Sequence, residues 1–310
     1  MLLYVIFGAV MDDQRKAGIM FLGPRDIYAE IEHVLTAMRM EGSVEAVRAV
    51  YNDTRRIFSG DHEEYKASNT GYHDFAHTEN VFLAALRLIH GVHIGTRLID
   101  ERGARLALIA SLLHDIGFIQ EKNDNDGTGA KYGAHHEKRS MRFTERYLTA
   151  NGYSEEDIAS CAKMIACTML GLAPSAINFS SPMIQSAGFI VGSADLIGQL
   201  ADRLYLEKLL LLYREVRESG TTVFTSEFDL LKKTENFYRK VAAQRLTADF
   251  GNKTEHLHLH FRERWGIDEN LYAGYIEKNI AYLHSILERD AEHYRDYLRR
   301  GGIVDELGEP

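Results

Sequence analysis

Cysteine and proline are scarce in this 310-residue chain, with two of the former and four of the latter. Cys161 and Cys167 stand six apart in one helical run, a spacing that is neither a Cys-x-x-Cys site nor a disulfide framework. They read as buried thiols in a reducing cytoplasm. With proline confined to positions 24, 174, 182 and 310, long stretches are free to run as helix. Basic charge is also short: 36 Lys and Arg stand against 45 Asp and Glu, for a net charge of −9 and a pI near 5.9. Such a chain is a poor partner for a nucleic-acid backbone, which needs basic surface. The apolar start, Met1 to Met11, falls short of the ~20 residues that span a bilayer. It also lacks the basic start and cleavage site of a signal peptide. It reads as a packed strand or helix, or as a product of start-site choice, since Met11 and Met20 are alternative starts. No targeting signal is found, and a cytoplasmic protein with no membrane partner is expected. Equally missing are a Gly-rich phosphate loop, a serine nucleophile elbow and a dinucleotide fingerprint.

What is present is helical patterning in an amply apolar chain (45 %). Ile27, Ile31, Val34, Leu35 and Met38 form one stripe, and Val44, Val47, Val50 and Tyr51 begin another after Gly42-Ser43. Asp74 is placed to cap a helix running to about Ile89, with His90 and His93 as structural residues near its end. An apolar helix over Ala104–Leu113 is expected to end towards Gly117. The polar run 121–133 predicts a loop of about a dozen residues, either a lid or a mobile insertion. Ser154 and Ser181-Pro182 start two further helices. Beyond Asp202 long amphipathic helices are expected, the last over about Asp268–Arg300. His256, His258 and His260 alternate with leucine and read as a surface-facing stretch. The fold class is all-α.

Chemistry centres on His114-Asp115. Taken alone, the pair also fits a core histidine beside an exposed capping aspartate. Its context is richer: Tyr72-His73-Asp74-Phe75-Ala76-His77 lies upstream, and His135-His136-Glu137 and Ser193-Ala194-Asp195 lie downstream. Charged side chains are seldom buried unless paired or bound to metal. For Asp195, inside an apolar helix, the partner is a basic residue or an ion. This order of His, His-Asp, His and Asp, over roughly residues 67 to 205, resembles the HD-domain superfamily of metal-dependent phosphohydrolases. The 72–81 stretch is similar to the Tyr-His-Asn-x-x-His-x-x-x-Val signature of its cyclic-nucleotide phosphodiesterases, with Asp74 in place of Asn.

The resemblance implies an HD-type helical bundle with additional C-terminal helices packed on the core. It implies that His77, His114, Asp115 and Asp195 bind metal, and that His73 protonates the leaving oxygen. It further implies that His136, four residues before Ser140, serves a second metal or the phosphate, with His135 as runner-up. Asp115 is catalytic through its capacity to bridge two ions. Nitrogen and oxygen donors together suit one or two divalent ions among Zn, Mn, Fe, Ni and Mg. The chain divides into an N-terminal helical segment (1–66), a core (67–205) and a C-terminal extension of the same domain (206–310). The expected activity is hydrolysis of a small, nucleotide-like phosphate ester, with homo-oligomerisation left open. Two alternatives remain: a non-catalytic nucleotide-binding sensor, and a di-iron oxygenase of the same superfamily.

Overall fold

A computed structural model describes residues 12–22, 24–289 and 292–308. The expectation for residues 1–11 therefore lies outside the described residues. Among these the chain is all-α: no strand forms, and the one extended pairing is an isolated antiparallel bridge between Tyr65 and Glu121. Residues 12–20 form α1. Then come α2 (Pro24–Ala37), α3 (Val44–Phe58), α4 (Phe75–Thr96), α5 (Glu101–Leu113), α6 (His136–Ala150), α7 (Glu155–Ala166) and α8 (Pro182–Leu200). The C-terminal part adds α9 (Tyr205–Glu218), α10 (Glu227–Asn236), α11 (Leu257–Trp265), α12 (Leu271–Leu287) and the short α13 (Ile303–Leu307).

The expected caps form. Asp74, Ser154 and Ser181 accept from the backbone amides of His77, Asp157 and Ile184. Each satisfies a donor that a helix start leaves without a partner. At the centre α4 packs along α8, with α5, α7 and α11 against this pair. Both central helices are apolar nearly all round, as their burial demands. One buried apolar cluster extends from Ile19 to Leu298, and a satellite gathers Ile57, Phe58, Tyr65, Ile116 and Ile119.

Four local expectations are corrected. First, α4 continues past Ile89 to Thr96, and Gly91 lies inside it. A Cβ there would sit 2.1 Å from the His256 carbonyl oxygen, so the glycine serves the approach of a neighbouring turn. Second, α5 stops at Leu113, and Gly117 lies in a separate 3₁₀ turn, Ile116–Phe118. Its Cβ would meet the His136 carbonyl oxygen at 2.1 Å, so only glycine lets the start of α6 press against this turn. Third, the His-Leu alternation is helical: His260 on α11 is fully buried and its Nδ1 lies 2.9 Å from Nδ1 of His90. Fourth, the last long helix ends at Leu287, and later residues run through short turns with positive φ at Gly301 and Gly302. Arg295 anchors that stretch through three bonds to Glu227, at 2.6, 2.7 and 2.9 Å.

After Asn236, α10 continues in wide π-type turns, Phe237–Ala242 and Arg245–Asp249. Such turns are uncommon and frequent near functional sites. Here they deliver Arg245, buried, to the carbonyls that follow α7: Met169, Leu170 and Leu172 accept at 2.9, 2.7 and 2.8 Å. Arg245→Met should orphan these acceptors and lower stability by about 2 kcal/mol. A urea-unfolding midpoint unchanged from the parent would remove this role.

Candidate metal centre

Four side chains from two helices and one turn converge beside the α4–α8 pair. His77 stands in the first turn of α4, fixed by the Asp74 cap. His114 and Asp115 follow the end of α5, and Asp195 projects from α8. The backbone turn after α5 lets two adjacent residues reach one point. Oδ2 of Asp115 lies 3.3 Å from Nε2 of His77 and 3.2 Å from Nε2 of His114. Oδ1 of Asp195 is 3.6 Å from each of those nitrogens.

Nδ1 of His114 meets the Ser111 carbonyl at 2.8 Å, which holds the proton on Nδ1 and turns the Nε2 lone pair inward. That Nε2 is buried and makes no hydrogen bond. Groups so placed normally find a partner. Donors sharing one ion at about 2.1 Å stand roughly 3.0–3.4 Å apart, close to the separations here. His77, His114 and Asp115 therefore have the donor types and spacing to hold a divalent cation, with Asp195 beside them at 3.6 Å from both imidazole nitrogens.

The electrostatics agree. Burial opposes charge on His77, yet Asp115 and Asp195 outweigh it and raise its pKa to about 9. Burial likewise opposes ionisation of Asp195, but His114 and His77 hold it at about 2. His114 is raised and Asp115 lowered by the same pairing.

The other oxygen of Asp115, Oδ1, faces Nε2 of His136 at 3.5 Å. One carboxylate thus looks towards two positions, as a bridging ligand would. His136 is held by its Nδ1 at the Gly133 carbonyl, 2.8 Å away. His135, the runner-up, is exposed at the N-cap of α6 and lies against Tyr132. The structure brings His136 and not His135 to the cluster. Ser140 is buried and accepts from the Gly117 amide at 2.9 Å.

His73 stands just outside the four, its ring centroid 5.7 Å from that of His77. Its Nδ1 is 2.6 Å from Oε2 of Glu215, while Oε1 of the same carboxylate accepts from the Tyr72 amide at 2.6 Å. Glu215, on α9, was not among the residues singled out from sequence. An acidic residue in a mixed helix reads as solvated, yet this one is 7 % exposed. Phe118 was also missed: His73 and His136 both stack on its ring, at 4.2 and 4.3 Å.

These residues open into a cavity of about 470 Å³, bounded on its far side by α9, α10 and the turns after α10. The loop 121–133 is tied down: Gly129 donates to Asn69 (2.9 Å), Thr128 to Glu218 (2.8 Å), and Lys66 to Asn125 (2.8 Å). Gly133, at its end, lines the cavity.

In comparison with known proteins, a family model described as Npun_R2479-like matches residues 123–258. No curated protein and no solved structure matches the chain. The matched span includes His136, Asp195, Glu215 and the apolar cavity wall, and it begins after His114-Asp115.

Proposed function

We propose that the chain is a metal-dependent phosphohydrolase of the HD-domain type, acting on a small phosphate ester. The observation that carries this reading is the convergence of His77, His114, Asp115 and Asp195 around a buried nitrogen without a hydrogen bond. These four residues would hold one divalent ion, and Asp115 with His136 would contribute to a second. The ion supplies Lewis acidity towards a phosphoryl oxygen and towards water.

The remaining residues act on protons and position. With Nδ1 of His73 committed to Glu215, its Nε2 is left to serve the cavity that His73 lines. Glu215 fixes the orientation of the ring, so a protonated Nε2 would be placed to donate to the departing alkoxide. Loss of that donor matters most where the leaving oxygen is basic. Phe118 fixes the orientation of the ring from below.

His73→Ala is expected to retain metal and lose about a hundredfold in turnover on alkyl esters. Turnover of a nitrophenyl ester should fall much less, because its leaving group needs little protonation. Equal losses on both would remove the acid role. The wider test is a hydrolysis panel with added Mn, Mg, Zn or Fe, covering a nitrophenyl diester, cyclic nucleotides, and nucleoside mono- and triphosphates. Silence across it from metal-loaded protein would overturn the hydrolase reading.

A further inference from the structure

The cavity has two unlike ends. The metal end is acidic, with Asp115, Asp195 and Glu137 in its lining and Glu215 behind His73. The far end is apolar: Leu196, Leu209, Leu212, Val216, Phe224 and Phe237 form its wall. Among the described lining residues Lys233 alone is a Lys or Arg. It is already engaged, 2.9 Å from Asp229 and 2.8 Å from the Val223 carbonyl.

Free hydrogen-bonding groups are equally few. Thr168 and Thr234 donate their hydroxyls to the carbonyls of Ile165 and Leu230, both at 2.9 Å. Gln199 receives the hydroxyl of Tyr72 on its Oε1, which leaves its amide nitrogen and the hydroxyl of Tyr205 as available donors in the lining. A polyphosphate needs several cations or a nest of amides, usually arginines in bidentate geometry. A base edge needs matching donors and acceptors, since unpaired polar groups of a ligand are costly to bury. The cavity offers no group of cations, and two donors, Gln199 and Tyr205, fall short of the set that a base edge presents.

We infer that the substrate is an amphipathic ester carrying a single phosphate, with an unfunctionalised apolar chain or ring that fills the far chamber. This rests on the phosphohydrolase reading above, and it narrows the substrate class away from nucleotides. The phosphate lies at the histidine–aspartate cluster, where metal charge offsets the surrounding carboxylates. The apolar body leaves water for the wall of α9 and α10. Leu170, 52 % exposed, extends that wall towards solvent.

The test uses a series of n-alkylphosphonates, from ethyl to octyl, titrated calorimetrically into manganese-loaded full-length protein beside adenosine monophosphate and adenosine triphosphate. Kd is expected to tighten about three- to fourfold per methylene until the chamber is filled. The octyl member should bind at least about a hundredfold more tightly than the ethyl one, and both nucleotides more weakly than the octyl. Leu212→Asn should flatten the dependence on chain length. Leu170→Asn, at a position already exposed, should flatten it in part with no demand on folding. A flat series in the parent, or a nucleotide that binds more tightly than octylphosphonate, would overturn the inference. Chain-length-dependent binding with no ester hydrolysed would keep the chamber and defeat the hydrolase reading. Nucleotide turnover with a flat series would do the reverse.

Discussion

Asp115→Asn is expected to yield a folded protein that has lost its metal. Both oxygens of Asp115 face imidazoles, Oδ2 towards His77 and His114 and Oδ1 towards His136. The substitution therefore acts on both positions, whereas Asp195→Ala and His114→Ala act on one. Loss of groups that merely orient metal ligands typically costs 10–100-fold in affinity. Loss of a ligand should cost more, so affinity is expected to fall by over about a hundredfold and turnover by over about a thousandfold. Elemental analysis of Asp115→Asn, His114→Ala and Asp195→Ala, with circular dichroism as the control for folding, is the measurement. Full metal occupancy in the last two would sink the assignment of the centre.

Below pH 6.5 the protein should lose stability before its carboxylates titrate. The cause lies away from the cavity, at His90 on α4 and His260 on α11, both buried. Burial, with His33, His93 and Arg264 adding to it, lowers the pKa of His90 to about 4. Burial, with Arg87, His90 and Arg264, lowers His260 further. Glu30 faces His260 through Oε1 at 3.6 Å, beyond hydrogen-bond distance, while its Oε2 is bound by Arg264 at 3.1 Å. The sign follows: both rings are neutral in the folded chain, while in the unfolded chain they protonate near their ordinary 6.5. The unfolded state thus binds more protons as pH falls from 6.5 towards 4. The contribution is intact above 6.5 and is lost across that window, at about 1.4 kcal/mol per pH unit for each ring. By pH 5 that amounts to about 2 kcal/mol per histidine. Urea-unfolding midpoints at pH 7 and pH 5 measure it, and His260→Gln should halve the difference. An unchanged difference in that variant would remove the pair as its origin.

What could be read from the chain was local or depended on order. Asp74, Ser154 and Ser181 cap their helices within three residues, so sequence alone places them. His77, His114, Asp115 and Asp195 stood out by their joint order, and they do converge. What stayed hidden depends on contacts distant in sequence. Gly91 and Gly117 resemble helix ends until the carbonyls of His256 and His136 are seen against them. His260 looked solvent-facing because its neighbours alternate, yet α11 turns it into the core. Glu215 gave no signal, because its partner lies 142 residues earlier. The apolar chamber was illegible for the same reason: its wall comes from helices that sequence periodicity describes only as amphipathic.

The pairing of His73 with Glu215, and the closing of the chamber by Phe237, also set an order of events during synthesis. His73 and His77 leave the ribosome some 160 residues before the last wall residue does. At roughly 5–20 residues per second, that gap lasts on the order of ten to thirty seconds. The histidine–aspartate cluster is complete only once Asp195 has emerged, 42 residues before Phe237, and Glu215 follows Asp195 by 20 residues to meet His73. Over those last 42 residues the cluster has its donors but not yet its full apolar wall. On the proposed reading, the wall that would select a substrate is translated after the cluster that would hold the ion.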